Sequence, residues 1–310
     1  MSLLTEILQR TRQSIEDRKA RRPLRDLERM VNDAPPVRSF KDSFGPMFSI
    51  IGEVKRRSPS AGDMNQRNVG EAVGVYNASP IISAISVLTD EPFFGGSLER
   101  LQEIRNMTPK PILQKDFILD EYQVWEARAF GADAILLMGS IHFEQPLPNP
   151  QLWRRLYNLA KDLGMDSLIE LGMGTSQTSI EQLVHHAPSK APIWGINSRD
   201  FYKKAEHKGL VGRLERLVRV REDITVSRSA HKEFRKYIKP GKIAVAESGI
   251  HSPSEIKALV DDRYNAALIG TKFLKSDDIS ACVSSFAEYI AQLNPQEVQS
   301  PNYLVPSLAK

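Results

Sequence analysis

The stretch PILQKDFILDEYQVWEARAFGADAILLM, residues 111–138, carries in one unit the pattern that decides the fold. It opens with a short apolar run, PIL at 111–113, and reaches Asp120 through polar residues. Val124, Ala127 and Phe130 then recur at helical spacing before Gly131, and a second apolar run, ADAILLM, fills 132–138. Asp120 is a helix N-cap side chain and Gly131 a helix stop, so the segment reads as strand, helix, strand.

The same alternation extends in both directions. Upstream lie FSIIGEV (48–54) and IISAISVL (81–88); downstream lie SLIEL (167–171), PIWGI (192–196), KIAVA (242–246) and NAALIG (265–270). Each of these eight runs precedes a stretch of helical period. Runs that are apolar throughout, rather than alternating, are strands buried on both faces, as parallel strands covered by helices are. Eight strand-then-helix units predict the α/β class and a (β/α)8 TIM barrel. The doubly wound open sheet is the competitor, and neither GxGxxG nor a Walker glycine pattern supports it. Leu152, Leu156, Leu159 and Leu163 form a helical stripe closed by Gly164, and Ser252, Pro253 and Glu255 read as N-cap, first-turn proline and capping-box acid.

Residues 1–46 form an N-terminal helical extension, with amphipathic stretches at Leu3–Lys19 and Leu24–Val31 closed by the loop APPVRSF. Its expected place is on the barrel's outside or across one end. The barrel itself spans 47–295 with a basic insertion within 202–242, and 296–310 is a C-terminal tail.

The chain has 310 residues, 41% hydrophobic and 26% charged, with a single cysteine. That excludes wholesale disorder, a disulfide scaffold and a site of several thiolates. No apolar run spans a bilayer, and MSLLTEILQRTRQ meets charge too early for a signal peptide, so the expected location is cytoplasmic. The formal charge of +4 is uneven: Lys203 to Lys242 holds thirteen Lys and Arg against five Asp and Glu, a local +8 that leaves −4 for the rest. Tyr202, Phe234 and Tyr237 are too few and too scattered to give that stretch a stacking platform, so no nucleic acid is expected. The expected partner is a small anionic sugar phosphate; the chain itself is expected to be a monomer or weak oligomer with no membrane contact.

In such a barrel the C-terminal strand ends and the loops after them face a common mouth. Glu53 and Lys55, Lys115, Glu170, Asn197, and Glu247 with Ser248 all stand where apolar runs give out. Lysines and glutamates meeting in a partly buried mouth shift each other's pKa, which points to proton transfer. No metal is expected, since the six histidines fall in loops or helices without ligand spacing. Ser248 with Gly249, and Gly270 with Thr271, offer backbone N–H groups beside helix starts, a cup for phosphate. Cys282 reads as a small core residue. Phe93 and Phe94 are either loop anchors or an aromatic wall.

IIGEVKRRSPSAG (50–62), SVLTDEPFFGGSL (86–98), the 111–138 stretch, WGINSRDF (194–201), IAVAESGI (243–250) and NAALIGTKFL (265–274) closely resemble indole-3-glycerol phosphate synthase. The resemblance covers nearly the whole chain, APPVRSF included. It implies a cofactor-free carboxy-lyase of tryptophan biosynthesis, which closes 1-(2-carboxyphenylamino)-1-deoxyribulose 5-phosphate to indole-3-glycerol phosphate with loss of carbon dioxide and water. By matching motif, Lys115 is the general acid of ring closure, and Glu53 and Lys55 serve the later base and acid steps. Glu170 and Asn197 position and polarise the intermediate, Glu247 binds substrate hydroxyls, and Arg199 orients the loop. Ser58, Ser248, Gly249, Gly270 and Thr271 hold the phosphate, with Lys55 near the anthranilate carboxylate and Phe94 against its ring.

The chain departs from the family at Gly172, where a polar residue is usual, and in the 49 residues between Asn197 and Glu247, more than the family needs. If Ala230–Ile238 is the sixth helix, the surplus lies over the mouth; if Val211–Val220 is, it lies on the opposite rim. The phosphoribosylanthranilate isomerase of the same pathway fits less well, because Glu53 stands where that family carries a cysteine. The alternative function is a catalytically weakened barrel that keeps the phosphate cup in a binding or regulatory role.

Overall fold

The structure, a computed structural model, describes residues 3–143, 149–173, 177–187, 191–200, 225–226 and 229–293. The eight barrel strands are β1 (Ser49–Val54), β2 (Ile82–Leu88), β3 (Ile112–Lys115), β4 (Ala134–Met138), β5 (Asp166–Met173), β6 (Ile193–Asp200), β7 (Ile243–Glu247) and β8 (Ala266–Ile269). All neighbours pair in parallel, and the ring closes where β8 returns to β1 with Ser49 opposite Ala266. The expected TIM barrel is therefore observed, with each apolar run of the sequence on a strand.

The barrel interior is filled by alternate residues of successive strands, among them Ile51, Ala84, Leu113, Leu136, Leu168 and Val245. Phe40 and Phe44, packed edge to face at 5.3 Å between ring centroids, join that cluster from the segment that precedes β1. A larger apolar layer separates the strands from the helices. Around Gly131, which has φ +93, the strand–helix–strand reading holds in detail: Asp120 accepts from the Tyr122 amide, and Val124, Ala127 and Phe130 are buried.

Two helix readings need correction. In Pro150–Asp162 the buried residues are Trp153, Leu156, Tyr157 and Ala160, so Leu152, Leu159 and Leu163 only flank that face. A large indole claims the centre of a stripe that leucine spacing alone assigns to its edge. The helix after β7 begins at Glu255, two residues beyond the start expected from a Ser252 cap. Glu255 Oε2 still accepts from the amides of His251 (2.6 Å) and Ser252 (2.9 Å), while the Ser252 hydroxyl meets that of Ser254.

The two helices that precede the barrel are α1 (Leu3–Arg21) and α2 (Leu24–Asp33). The first turns of α1 reach the mouth, where Leu3, Leu4, Ile7 and Leu8 pack with Leu88, Phe94, Phe117, Met138 and Ile141. Its last turns lie along the outside, pinned by Arg18 to Glu126 at 2.9 Å and Lys19 to Asp120 at 2.7 Å. Two pieces of unit six fall within the described residues. The pair Thr225–Val226 runs antiparallel to Arg199–Asp200, and Ala230–Phe234 is the helix that leads to β7. The chain thus leaves and rejoins β6 at its mouth end; 201–224 and 227–228, which hold Val211–Val220 and most of the basic stretch, lie outside the described residues.

Opposite the mouth, a buried ion pair fastens the APPVRSF loop. Asp133, fully buried at the foot of β4, accepts from Arg105 Nη1 at 2.6 Å and from the amides of Arg38 (2.7 Å) and Ile112 (2.8 Å). Arg105 Nη2 also donates to the Pro36 carbonyl at 2.8 Å. Burial pushes the Asp133 carboxyl up, against the pull of those donors, so the pair holds only while complete. Asp133→Ala strands a buried guanidinium and is expected to cost about 3–5 kcal/mol in chemical denaturation; a loss below about 1 kcal/mol would show that the loop is held by packing alone.

Candidate active site

Three carboxylates and three cations converge at the mouth from the ends of alternate and neighbouring strands. Glu53 is the penultimate residue of β1 with Lys55 directly beyond the strand, Lys115 ends β3, Glu170 lies in β5, Asn197 and Arg199 in β6, and Glu247 ends β7. Lys115 Nζ donates to Glu170 Oε2 and to Glu247 Oε2, both at 3.1 Å. The Asn197 amide donates to the same Glu170 oxygen at 3.1 Å, and its own carbonyl oxygen accepts from the Arg199 backbone at 3.1 Å. Lys55 Nζ is hydrogen-bonded to Glu53 Oε1. Glu53, Lys55, Glu170, Asn197 and Glu247 are all buried.

Two glycines make room for this cluster. A Cβ on Gly195 would lie 2.0 Å from Glu247 Oε1, and one on Gly270 would lie 2.3 Å from Glu53 Oε1. Neither contact is possible for a larger residue, so each glycine sits behind a site carboxylate. The sequence marks Gly270 for backbone approach to phosphate; the structure adds this second reason for it.

The electrostatics follow from burial and partner. Burial opposes the charge on Lys115, but Glu170, Glu247 and Glu53 outweigh it and hold the ammonium above the ordinary lysine range. Burial takes Lys55 the other way, down to about 8, helped by Arg199 and Lys115 and only partly offset by Glu53. Burial also works against the charge on Glu53, yet Lys55 and Lys115 prevail and hold its carboxyl below the usual range. Glu247 is pushed up to about 8 by burial and by its neighbour Glu170, against the pull of Lys115. One mouth thus holds a firmly charged lysine, a lysine poised near neutrality and an ionised carboxylate.

Glu53, Phe94, Lys115, Glu170, Asn197, Arg199 and Ser248 line a single cleft of about 40 Å³. Glu170 Oε1 on this cleft and Glu247 Oε1, which lies against Gly195, are buried without a hydrogen-bond partner among the described residues. Ser248 (φ +66) and Gly249 (φ +72) turn the chain sharply after β7. A non-glycine residue held at positive φ is strained, and such strain clusters at working sites. Thr271, in the first turn after β8, has a buried hydroxyl with no partner among the described residues. Ser58 lies buried in the short hairpin after β1, 3.2 Å from the Ser60 hydroxyl. Lys55, Ser58, Glu247, Gly249, Gly270 and Thr271 do not line the cleft itself; Lys55 and Glu247 lie behind it, bonded to Glu53 and Lys115. Gly172 stands opposite Asn197 across β5 and β6, beside a break in register.

The structure separates the two phenylalanines. Phe94 is buried on the cleft wall, 6.4 Å from the Phe117 ring, whereas Phe93 sits under the Arg10 guanidinium of α1 at 5.9 Å. Leu88, Asp116, Phe117, Leu136 and Met138 also line the cleft and are not among the residues that the sequence singles out. Phe117 and Asp116 are the accessible ones, since both follow Lys115 in QKDF. Asp116 and Asp90 anchor the aromatic wall: Asp116 Oδ1 accepts from the Phe117 amide at 2.7 Å, and Asp90 Oδ1 from the Phe94 amide at 3.2 Å. Burial and the nearby Asp116 push Asp90 up to about 7. A roomier surface groove of about 570 Å³, lined by Lys19, Leu24, Asp120 and Trp125, lies away from the strand ends. Its lysine and aspartate already bond each other, so the convergent chemistry belongs to the mouth.

Solved structures share the architecture at low identity. The 3-hexulose-6-phosphate synthase of Salmonella typhimurium superposes with a TM-score of 0.54 at 11% identity, over 80% of this chain and all of that one. A mutant tryptophan synthase α-subunit from the hyperthermophile Pyrococcus furiosus gives 0.51 at 12%, over 79% and 98%. In sequence, the indole-3-glycerol phosphate synthase of Neisseria meningitidis serogroup B is 33% identical over 288 residues, 90% of this chain and 96% of that protein. That of Leptospira interrogans is 38% identical over 245 residues, 78% of this chain and 83% of that one. The sequence model of the indole-3-glycerol phosphate synthase family matches residues 4–286, and with relatives of this similarity along its length the chain belongs to that family of carboxy-lyases.

Proposed function

We propose that this chain closes the ring of 1-(2-carboxyphenylamino)-1-deoxyribulose 5-phosphate, without a cofactor, by general acid–base catalysis from its lysines and glutamates. The observation that carries the reading is Lys115, an ammonium held charged between Glu170 and Glu247, in a cleft that Glu53, the partner of Lys55, also lines. As the aromatic carbon bearing the carboxylate attacks the ketone carbon, Lys115 gives its proton to the ketone oxygen. The carboxylate then leaves as carbon dioxide, and its bonding electrons restore the aromatic ring. Glu53 next takes a proton from the adjoining CH2 while Lys55 protonates the departing hydroxyl, which leaves as water.

The open oxygens of Glu170 and Glu247 are acceptors for substrate hydroxyls, and Asn197 fixes Glu170. Phe94 supports the anthranilate ring and Arg199 orients the loop beyond Asn197. Ser58, Ser248, Gly249, Gly270 and Thr271 form the phosphate end. At about 40 Å³ the cleft is far smaller than a ligand pocket, so substrate entry shifts side chains at the mouth. We place this activity in the cytoplasm.

Purified protein given this substrate alone should yield fluorescent indole product. Lys115→Ala, folded by circular dichroism, should lose about 10²- to 10⁴-fold in kcat, the span of general acid catalysis. A loss under about tenfold would remove Lys115 from its role, and folded wild-type protein inert toward the substrate would favour the weakened paralogue.

The pH profile gives a second check. Lys55 delivers a proton only while charged, so kcat should fall as pH rises through about 8. Lys55→Arg, which keeps its proton throughout, should turn over slowly but with that alkaline limb flattened. A limb unchanged in the arginine variant would assign the titration to Glu247 instead.

A further inference from the structure

We infer that His231 is a positioning residue, whose imidazole holds the Glu247–Gly249 turn in the geometry that receives the substrate's phosphate end. The inference rests on the reading above for what that turn binds. His231 opens the helix Ala230–Phe234, just past the part of the basic stretch that lies outside the described residues, and is itself buried.

His231 Nε2 lies 3.0 Å from the Glu247 carbonyl oxygen, and the Ile196 carbonyl also faces the ring. A carbonyl only accepts, so Nε2 carries the hydrogen of that bond. The two carbonyls adjoin two site residues: Ile196 precedes Asn197 in β6, and Glu247 is itself one. Glu247 stands opposite Asn197 across β6 and β7, so the ring spans both strands where their polar side chains enter the mouth. The Glu247 carbonyl is also the last peptide group before Ser248 and Gly249, whose positive φ values turn the following N–H groups. Fixing that carbonyl fixes the peptide planes beyond it.

The histidine is held in turn. Tyr264 packs edge to face on it at 5.9 Å and donates its hydroxyl to the His231 carbonyl at 2.7 Å. Burial lowers its pKa, opposed by the two carbonyls and by Asp262 and Glu255, so the ring acts as a neutral donor rather than a charge.

The test titrates inorganic phosphate into wild-type, His231→Leu and His231→Gln protein by calorimetry, beside steady-state kinetics with the anilino-ribulose phosphate. His231→Leu deletes the donor and should weaken phosphate binding and raise KM together by about five- to tenfold, with kcat changed less than threefold. His231→Gln carries an N–H and should recover most of both. A leucine variant that binds phosphate like wild type, or a glutamine variant as weak as the leucine one, overturns the inference, as does wild-type protein that takes up no phosphate. Wild-type protein that binds phosphate but leaves the substrate unchanged ends the ring-closure reading while the phosphate comparison at His231 still decides this one.

Discussion

The structure's chemistry depends on one constraint: charges taken out of water at the barrel mouth must balance. An isolated buried ammonium or carboxylate costs far more than a fold can supply, and such groups persist only when paired. Here Lys55, Lys115 and Arg199 face Glu53, Glu170 and Glu247, and Glu247, pushed up to about 8, keeps its proton through neutral pH, so part of the balance is struck by neutralisation. Balance does not make them equivalent. Lys115 has two carboxylate partners and stays charged, whereas Lys55 has one partner and two cationic neighbours and sits near the point of release. The same residue type is therefore held in two protonation regimes, set by neighbours that lie as much as 132 residues apart in the chain.

The two ends of the barrel show how structural and functional ion pairs differ. At the foot, Asp133 accepts three hydrogen bonds and holds a loop in place. At the mouth, Glu170 and Glu247 each keep one buried oxygen without a partner among the described residues. Leaving a buried acceptor open costs stability and is tolerated where a ligand is to complete it. Gly195 and Gly270 belong to the same arrangement, since each gives up a side chain so that a carboxylate can lie against its strand.

Much of this is legible without coordinates. Strands buried on both faces leave uninterrupted apolar runs, so all eight can be found, and polar residues at their ends mark Glu53, Lys115, Glu170, Asn197 and Glu247. What is not legible is lateral. Nothing in the spacing of Leu152, Leu156 and Leu159 reveals that Trp153 takes the centre of the buried face. Phe93 and Phe94 are adjacent and chemically identical, and only the path of the short Glu91–Phe94 helix sends one to the cleft and the other to α1. The cleft residues Leu136 and Met138 escape notice because an apolar side chain inside an apolar run carries no local mark of function. Asp90 is hidden for the opposite reason: as an N-cap it has a sufficient local explanation, and its place beneath Phe94 is a tertiary fact.

The extension makes the same point on a larger scale. An amphipathic helix ahead of a barrel satisfies its own periodicity anywhere on an apolar surface, and sequence offers no preference between wall and mouth. The structure uses both. The polar end of α1 is tied to the outer helix Glu121–Ala129 through Arg18 and Glu126, and its leucine-rich end joins Phe94 and Phe117 in one apolar cluster. Those two rings also line the cleft that Lys115 and Glu53 line. Packing of the extension and shape of the cleft are therefore a single problem: a side chain removed from Leu4 or Ile7 leaves space behind the aromatic wall, and the wall can relax only by moving away from the reacting centre.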